Sequence, residues 1–314
     1  MTAYESARTF IYRHARPLDL ARWQYHFEGG SREAVLRALS RYQNADGGFG
    51  HALEPDCWNP DSAPVQTCRA VELLQEIDFD DATHPIAQGM LRHLASGEHF
   101  RDGQWLYSIP TNDDHPHAIW WSYDPNAAPD YNPTAALAGF LLRFSAPDSP
   151  LHERGDSIAR QAVSAYLATP DRFEMHAVRC YMTLLNALES LPTPPVDPAP
   201  LKSALAAHIA ALVAGSMERW RTDYVCTPSW FLDRRDSFLA APLREAAEAE
   251  CRMLLETQLP DGAWSIPWHW ALDYPEQWPI SKCWWRANGV IQNLLFLREF
   301  APQALLNEAG IPIV

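Results

Sequence analysis

The sequence lacks the features that define several large classes of protein. No window approaches 18 uncharged apolar residues, so we expect no membrane-spanning segment. The first twenty residues carry charges every few positions and contain no apolar signal-peptide core. The six cysteines are scattered and include no C-x-x-C pair, which argues against a disulfide framework. We therefore predict a soluble, cytoplasmic, globular protein.

Clusters of basic residues are also missing. Lysine and arginine together number 25, against 39 aspartates and glutamates, and the formal net charge is -14. Negative charge of this size repels nucleic-acid phosphates and anionic lipid. We therefore expect a small-molecule substrate rather than nucleic acid as the partner.

Common cofactor and catalytic motifs are absent as well. There is no P-loop, no G-x-G-x-x-G fingerprint and no G-x-S-x-G nucleophile elbow. A D-D-x-x-D string for magnesium–diphosphate chemistry is likewise missing. The sequence predicts no cofactor and assigns no metal ligand.

Tryptophan, by contrast, is abundant. Many of the 13 tryptophans stand beside Gly, Pro, His or Asp rather than inside apolar runs. An indole offers a large apolar face and one N–H donor, and such residues often line a cavity. The pattern predicts an aromatic pocket for a small molecule.

Apolar residues recur with helical spacing, and no stretch alternates as a half-buried strand does. Asp-Gly pairs begin at positions 46, 102 and 261, so the intervals are 56 residues and 159 residues, three times 53. A period in the fifties built from helix–loop–helix units indicates a repeat architecture. The sequence therefore predicts an all-α fold with helices near 4–14, 17–27, 31–42, 65–77, 85–94, 134–144, 155–168, 173–190, 200–219, 241–258 and 286–300.

Two segments carry a family resemblance. Residues 43–50, QNADGGFG, and 258–264, QLPDGAW, resemble the Gln/Trp repeats of squalene-type cyclases. The helix–loop–helix order around them is similar to that of the terpenoid cyclase and protein prenyltransferase α/α toroids. The resemblance implies that Gln43, Phe49, Gln258 and Trp264 are scaffold residues.

The resemblance covers about residues 31–300. It implies a closed (α/α)6-type barrel of about six helical hairpins around a central funnel. The predicted domain organisation is one α/α toroid over residues 1–314, with the N-terminal helices of residues 1–30 packed on it.

An acidic loop precedes the helix predicted from Val65. It carries Glu54, Asp56 and Asp61, and the resemblance places it on the funnel side. A carboxylate in an aromatic, poorly hydrated pocket has a raised pKa and can act as a general acid. We predict these three residues as catalytic, with Asp56 or Asp61 as the proton donor. The alternative is that Asp61 caps the helix and the other two are rim charges.

The string Asp78-Phe79-Asp80-Asp81 matches the D-x-D-D acid motif of class II terpenoid cyclases. In this chain it follows the end of the helix predicted at 65–77, in an outer connection. We therefore interpret it as a solvated turn between helices.

His115 and His117 lie on a loop that is dense in polar and aromatic groups. We predict that at least one of them acts at the site and tunes the proposed acid. The alternatives are that they bind a metal with Glu54 or Asp56, or that one of them hydrogen-bonds a loop carbonyl.

The predicted substrate-binding residues are mostly aromatic, because ring faces stabilise carbocations and also stack on sugars. Trp284 and Trp285 are predicted to end a loop. Arg286 is predicted to bind a substrate carboxylate or phosphate, or else Asp273. The full set is Trp58, Trp120, Trp121, Asn132, His176, Trp230, Trp268, Trp270, Trp284, Trp285 and Arg286.

Three functions are compatible with the sequence. The resemblance implies a terpenoid-cyclase-like enzyme that converts an apolar isoprenoid-type substrate by acid-initiated carbocation chemistry. The second is a carbohydrate-active toroid enzyme, a hydrolase, lyase or epimerase. The third is a toroid that binds a small molecule without catalysis. An apolar funnel favours the first, and paired carboxylates favour the second.

Overall fold

The computed structural model describes residues 2–305, and this part of the chain is mostly helical. Its sheet structure is an antiparallel hairpin of two short strands, β1 (Phe100–Arg101) and β2 (Gln104–Trp105). The helices are α1 (Ala3–His14), α2 (Pro17–Phe27), α3 (Arg32–Leu39), α4 (Pro64–Glu76), α5 (Pro85–Ser96), α6 (Thr134–Phe144), α7 (Pro150–Ala168), α8 (Met175–Ser190), α9 (Pro198–Ala214), α10 (Arg244–Thr257) and α11 (Trp278–Phe300). The predicted all-α class is confirmed for the described residues, and closure into a toroid stays a prediction. None of the described helices combines the length and apolarity needed to cross a membrane.

Contacts divide the described chain into two compact units. Ser40–His208 form one, called here the middle unit. The described residues before and after that range form the other, the terminal unit. The single toroid domain stays a prediction.

Helix α6 is the core helix of the middle unit. Its sequence, TAALAGFLLRF, is apolar on nearly every side, and each of its residues except Arg143 is buried. A helix with this pattern is typical of a protein core. It packs most extensively against α7 and α8 and also contacts α4. Gly139 permits the close approach of α8, because a Cβ there would lie 3.1 Å from Ala187 Cβ.

Helix α11 is the central helix of the terminal unit, where it packs against α1, α2 and α10. On α2 the buried Asp19 accepts hydrogen bonds from Arg16 and Arg22, each at 2.8 Å. Arg22 also donates to Asn288 of α11 at 2.9 Å. Burial alone would raise the pKa of Asp19, but the two guanidinium groups hold it below its ordinary value. A buried ion network therefore fixes α2 to α11.

The helix predictions agree with the structure to within five residues at each end, except at the start of the last helix. Helix α11 begins at Trp278 rather than near Arg286. Pro279 occupies its first turn, where proline is tolerated because the backbone N–H has no partner within the helix. Trp284 and Trp285 therefore lie inside α11, and the loop prediction for them is wrong.

The two Gln-containing turns dock onto helices in the same way. Gln43 donates from Nε2 to Gly47 O at 2.9 Å and to Ile86 O of α5 at 3.0 Å. In the terminal unit, Gln258 donates from Nε2 to Gly262 O and to Ala3 O of α1, each at 2.9 Å. The scaffold role of both glutamines is therefore confirmed.

The glycines of the two turns also pack against the docked helices at matching positions. A Cβ on Gly47 would lie 2.0 Å from Gly89 O of α5, and a Cβ on Gly262 would lie 2.0 Å from Ser6 O of α1. Both glycines have positive φ, +96° and +95°. In each turn the contacted carbonyl belongs to the residue three positions after the one that the glutamine binds. Helix α1 thus meets the turn before α11 as α5 meets the turn before α4.

The aromatic members of both motifs are also scaffold residues. Phe49 is fully buried in the core of the middle unit. Trp264 is 7% exposed and donates from its indole N–H to Leu254 O of α10 at 2.8 Å. These contacts bear out the assignment drawn from the resemblance.

Gly47→Ala is expected to destabilise the protein by about 3 kcal/mol or more, because the new Cβ adds a collision with Gly89 to the cost of a left-handed backbone. Gly97→Ala is the matched control, since Gly97 has φ +75° and no atom within 4 Å of an added Cβ. It should lose only about 1 kcal/mol. Urea unfolding measures both, and equal losses would contradict the close-approach account.

Candidate functional site

Two loops of the middle unit pair with each other and position the acidic residues. Cys57 and His117 form an isolated antiparallel bridge. Trp58 N donates to Pro116 O at 2.9 Å, and Ala118 N donates to Asp56 O at 2.8 Å. The acidic loop therefore has a backbone partner of its own, which holds its carboxylates in place as the chain enters α4.

Glu54 and Asp56 are both buried in this arrangement, with 8% and 2% of their surfaces exposed. Burial raises the pKa of Glu54 to about 8, and the negative charge of Asp56 acts in the same direction. The positive charge of Arg69 opposes the shift without cancelling it. Glu54 is therefore protonated at neutral pH and can donate a proton, whereas the sequence predicts Asp56 or Asp61 as the donor.

A row of ion pairs lies beside the acidic pair, on α4 and α8. Glu72 accepts from Arg69 Nη1 at 2.5 Å and lies 3.2 Å from Arg179 Nε. Burial alone would raise the pKa of Glu72, but Arg179 and Arg69 hold it below its ordinary value. The site thus combines a protonated carboxyl group with an ionised one, a difference that is typical of acid–base catalysis.

Further polar groups reach the same region from the residues that precede α6 and α8. Burial and then the charge of Glu54 raise the pKa of Tyr107, and Glu174 and Asp130 add to this effect. Burial likewise raises the pKa of Asp130. The starts of α4, α6 and α8 therefore meet around one charged cluster.

His176 and Asn132, two of the predicted binding residues, border this cluster. His176 Nδ1 lies 2.5 Å from Glu174, the N-cap residue of α8. The side chain of His176 is 42% exposed and therefore accessible to a ligand. Asn132 Oδ1 accepts a hydrogen bond from the Cys180 thiol at 3.5 Å.

Asp61 does not share the buried environment. Its side chain is exposed, and its backbone N–H donates to Asn59 Oδ1 at 2.9 Å. Helix α4 begins three residues later without a side-chain cap. Asp61 therefore does not lie in the poorly hydrated environment expected for the proton donor, and it does not cap α4; a catalytic role for it stays a prediction.

The ring nitrogens of His117 contact groups of its own loop. One ring nitrogen lies 2.7 Å from His115 O and the other 3.0 Å from Ser122 Oγ. With both ring nitrogens engaged in this way, the imidazole orients its own loop. The contact with a loop carbonyl is one of the two alternatives given above, and a catalytic role for His115 or His117 stays a prediction.

The string Asp78-Phe79-Asp80-Asp81 is a solvated turn. All three carboxylates are exposed, and Phe79 points into the core with 3% exposure. Asp81 Oδ1 accepts from the backbone and hydroxyl of Thr83 at 2.8 and 2.6 Å. The interpretation of this string as a helix–helix connection is confirmed.

Three predicted tryptophans lie on the paired loops. Trp58 is half-buried and donates to Pro55 O, and Trp120 is 38% exposed. Trp121 is 7% exposed and stacks on Tyr107 with ring centroids 4.8 Å apart. Its indole N–H is buried and makes no hydrogen bond within the described part of the chain. A buried donor of this kind is a ready contact for a polar ligand.

The remaining predicted aromatic residues belong to the terminal unit. Trp268 contacts Tyr224 at 4.9 Å and Trp285 at 5.4 Å between ring centroids, and Tyr224 also contacts Trp230 at 5.8 Å. Trp270 is buried at 4% exposure. The aromatic cluster thus defined is Tyr224, Trp230, Trp268 and Trp285.

Trp284 and Arg286 have structural partners in the terminal unit. Arg16 lies over the ring of Trp284, 5.3 Å from its centroid. Arg286 Nη2 binds both carboxylate oxygens of Asp261, at 2.8 and 2.7 Å, and its Nε donates to Trp264 O. Arg286 therefore secures the second Gln-containing turn, and its predicted partner Asp273 is replaced by Asp261.

Several residues of the charged cluster were not predicted. Arg69, Glu72 and Arg179 stand at ordinary positions of helical patterns, where charges are normally read as a solvated face. Their only sequence signal is their place on helices that follow the candidate loops.

Comparisons with known proteins leave the functional assignment to the geometry. No family model matches the chain, and neither curated proteins nor solved structures include a match.

The free energy of unfolding is expected to fall as the pH rises from about 4.5 to about 8, the interval between the ordinary and folded pKa values of Glu54. The folded state keeps a proton there that the unfolded state releases, so the contribution is fully present below this interval and lost above it. The slope is up to about 1.4 kcal/mol per pH unit. Glu54→Gln, which is neutral throughout, should remove it.

Urea unfolding at pH 5, 6.5 and 8 measures this slope. Asp61→Asn is the control, because it removes an exposed carboxylate from the same loop and should keep the wild-type behaviour. Identical slopes for wild type and Glu54→Gln would show that Glu54 is already ionised in the folded protein.

Proposed function

We propose that the protein is an acid–base enzyme in which Glu54 is the general acid. The observation that carries the proposal is the buried Glu54 beside Asp56, with its pKa raised to about 8. A general acid with this pKa holds its proton at neutral pH and can still release it to a reacting group. Asp56 is proposed as the partner carboxylate, which keeps Glu54 protonated through its negative charge.

The surroundings favour a polar, hydroxyl-bearing substrate of the saccharide class. Arg69 and Glu72 border the acid, and Arg179 pairs with Glu72. Tyr107 and Trp121 add a hydroxyl and a buried N–H. Hydroxyl groups can replace the hydrogen bonds that such a site makes with water, whereas an isoprenoid chain cannot. The stacked rings of Tyr107 and Trp121 offer an aromatic face of the kind on which sugars pack. A hydrolase, lyase or epimerase acting on a saccharide is the proposed class.

The aromatic cluster of the terminal unit favours a second candidate, the isoprenoid cyclase. Its four rings are Tyr224, Trp230, Trp268 and Trp285, and electron-rich ring faces stabilise a carbocation. In this alternative an alkene or epoxide is protonated, and the ring faces shield the resulting cation.

We also propose that the helical hairpins close into one α/α toroid. The support is that both glutamines donate to a carbonyl near the start of a helix, Gln43 to α5 and Gln258 to α1. In the first case α5 follows α4 in the chain, while in the second the partner of α11 comes from the N-terminal end. Pairing of the first helix with the last is what a closed ring of helices requires. A cytoplasmic location stays a prediction.

Activity assays with two substrate panels test the proposed function. Purified protein is incubated with oligosaccharides, including uronic-acid forms, or with polyprenyl diphosphates and squalene, and products are identified by mass spectrometry. Turnover is expected with the saccharide panel. Glu54→Gln should lower it by about 10²–10⁴-fold, because the proton donor is lost.

Asp80→Asn is the matched control, since it removes the middle acid of the D-x-D-D string from an exposed turn. It should leave turnover unchanged. Undiminished activity in Glu54→Gln would remove Glu54 as the acid, and conversion of polyprenyl substrates alone would favour the cyclase.

A further inference from the structure

A second group of ionisable side chains lies at the first Gln-containing turn, outside the candidate acid–base site. Asp46 belongs to the turn, His93 to the last turns of α5, and Glu98 follows the left-handed Gly97 that ends this helix. One ligand atom from each of the three residues lies within 4.8 Å of the other two. The fold therefore brings an imidazole and two carboxylates to one point.

His93 is the buried member of this group. The residue is 2% exposed, and its Nδ1 lies 3.2 Å from Asp46 Oδ2. Neither ring nitrogen makes a hydrogen bond of acceptable geometry within the described residues. A buried imidazole in this state loses the free energy of its contacts with water, and a ligand that engages Nδ1 restores part of it.

The carboxylate of Asp46 is held in a fixed orientation. Its Oδ1 accepts from Gly48 N at 3.0 Å and from Ser62 Oγ at 2.7 Å. These two bonds direct Oδ2 towards His93. Glu98, by contrast, has a side chain that is 54% exposed and can adjust to a ligand. His99 Nε2 lies 3.9 Å from Glu98 Oε1 and borders the group.

The two Gln-containing turns differ in the groups that face their aspartate. Asp261 stands in that turn where Asp46 stands in the first, three residues after the glutamine. Its charge is neutralised by Arg286, which binds both carboxylate oxygens. At the first turn the aspartate faces an imidazole and the second carboxylate, Glu98. A cation at that point would supply the positive charge that the arginine supplies at the other turn.

We propose that Asp46, His93 and Glu98 bind a divalent transition-metal ion, with Zn²⁺ as the best fit. One imidazole nitrogen and two carboxylate oxygens are ligands that Zn²⁺ accepts, and a water on the exposed side completes four-coordination. The ion joins the first Gln-containing turn to the end of α5. The site is independent of the proposed reaction at Glu54.

Titration of the metal-free protein with Zn²⁺ alone tests the site, by isothermal calorimetry and by the visible absorption of Co²⁺ as a spectroscopic substitute. Wild type should bind one ion. Asp46→Asn keeps the Oδ1 acceptor and removes the charge, and Glu98→Gln alters an exposed side chain, so both variants should fold. Each should weaken binding at least about 10-fold, because even outer-sphere partners of metal ligands contribute that much.

Asp102→Asn, on the exposed turn of the nearby hairpin, is the control and should bind as wild type does. Bound Zn²⁺ should also raise the thermal midpoint of wild type, since an ion at 100 times its Kd shifts the folding equilibrium about 100-fold. The proposal is overturned if wild type binds no ion, or if Asp46→Asn and Glu98→Gln bind as tightly as Asp102→Asn.

Discussion

A backbone carbonyl packed against a glycine is the contact on which the described architecture depends. At each of the two Gln-containing turns, the glycine sits where any Cβ would overlap a helix carbonyl, and the glutamine bonds a second carbonyl three residues earlier. Only glycine satisfies the positive φ and the close approach together. The contact fixes where the chain leaves the turn. In the middle unit the same turn carries Asp46 and leads into the acidic loop.

The acid–base proposal follows from what this loop does to two neighbouring carboxylates. Glu54 and Asp56 are both buried, and two negative charges there would repel each other. Glu54 therefore keeps its proton. The ion pairs of Glu72 with Arg69 and Arg179 lie next to them and keep another carboxylate ionised. Glu54, buried beside a second carboxylate, and Glu72, held between two arginines, thus have opposite protonation states within one cluster. The same loop leaves Asp61 in solvent, although only a few residues separate it from Asp56.

Local features of the fold could be predicted from the sequence, because their causes are local. The scaffold roles of Gln43 and Gln258 follow from a short motif, and the helices follow from apolar spacing. Glu54 could be named as a candidate from its residue type and its loop. The contrast with Asp61 could not, since the exposure of each carboxylate is set by the folded course of the loop. Contacts between residues that are far apart in the sequence could not be predicted either. Glu72 and Arg179 lie on different helices, and Asp46, His93 and Glu98 meet only in the folded chain. The early start of α11 was missed because its tryptophan-rich first turns read as a loop.

The central claim is that Glu54 is protonated in the folded protein at neutral pH. A carbon-13 NMR titration of the side-chain carboxyl groups, assigned through Glu54→Gln, reports this directly. We expect a midpoint near pH 8 for Glu54 in wild type. In Asp56→Asn the midpoint should be lower, because the negative charge of Asp56, one cause of the shift, is gone. A wild-type midpoint near 4.5, the ordinary value for a glutamate, would contradict the account.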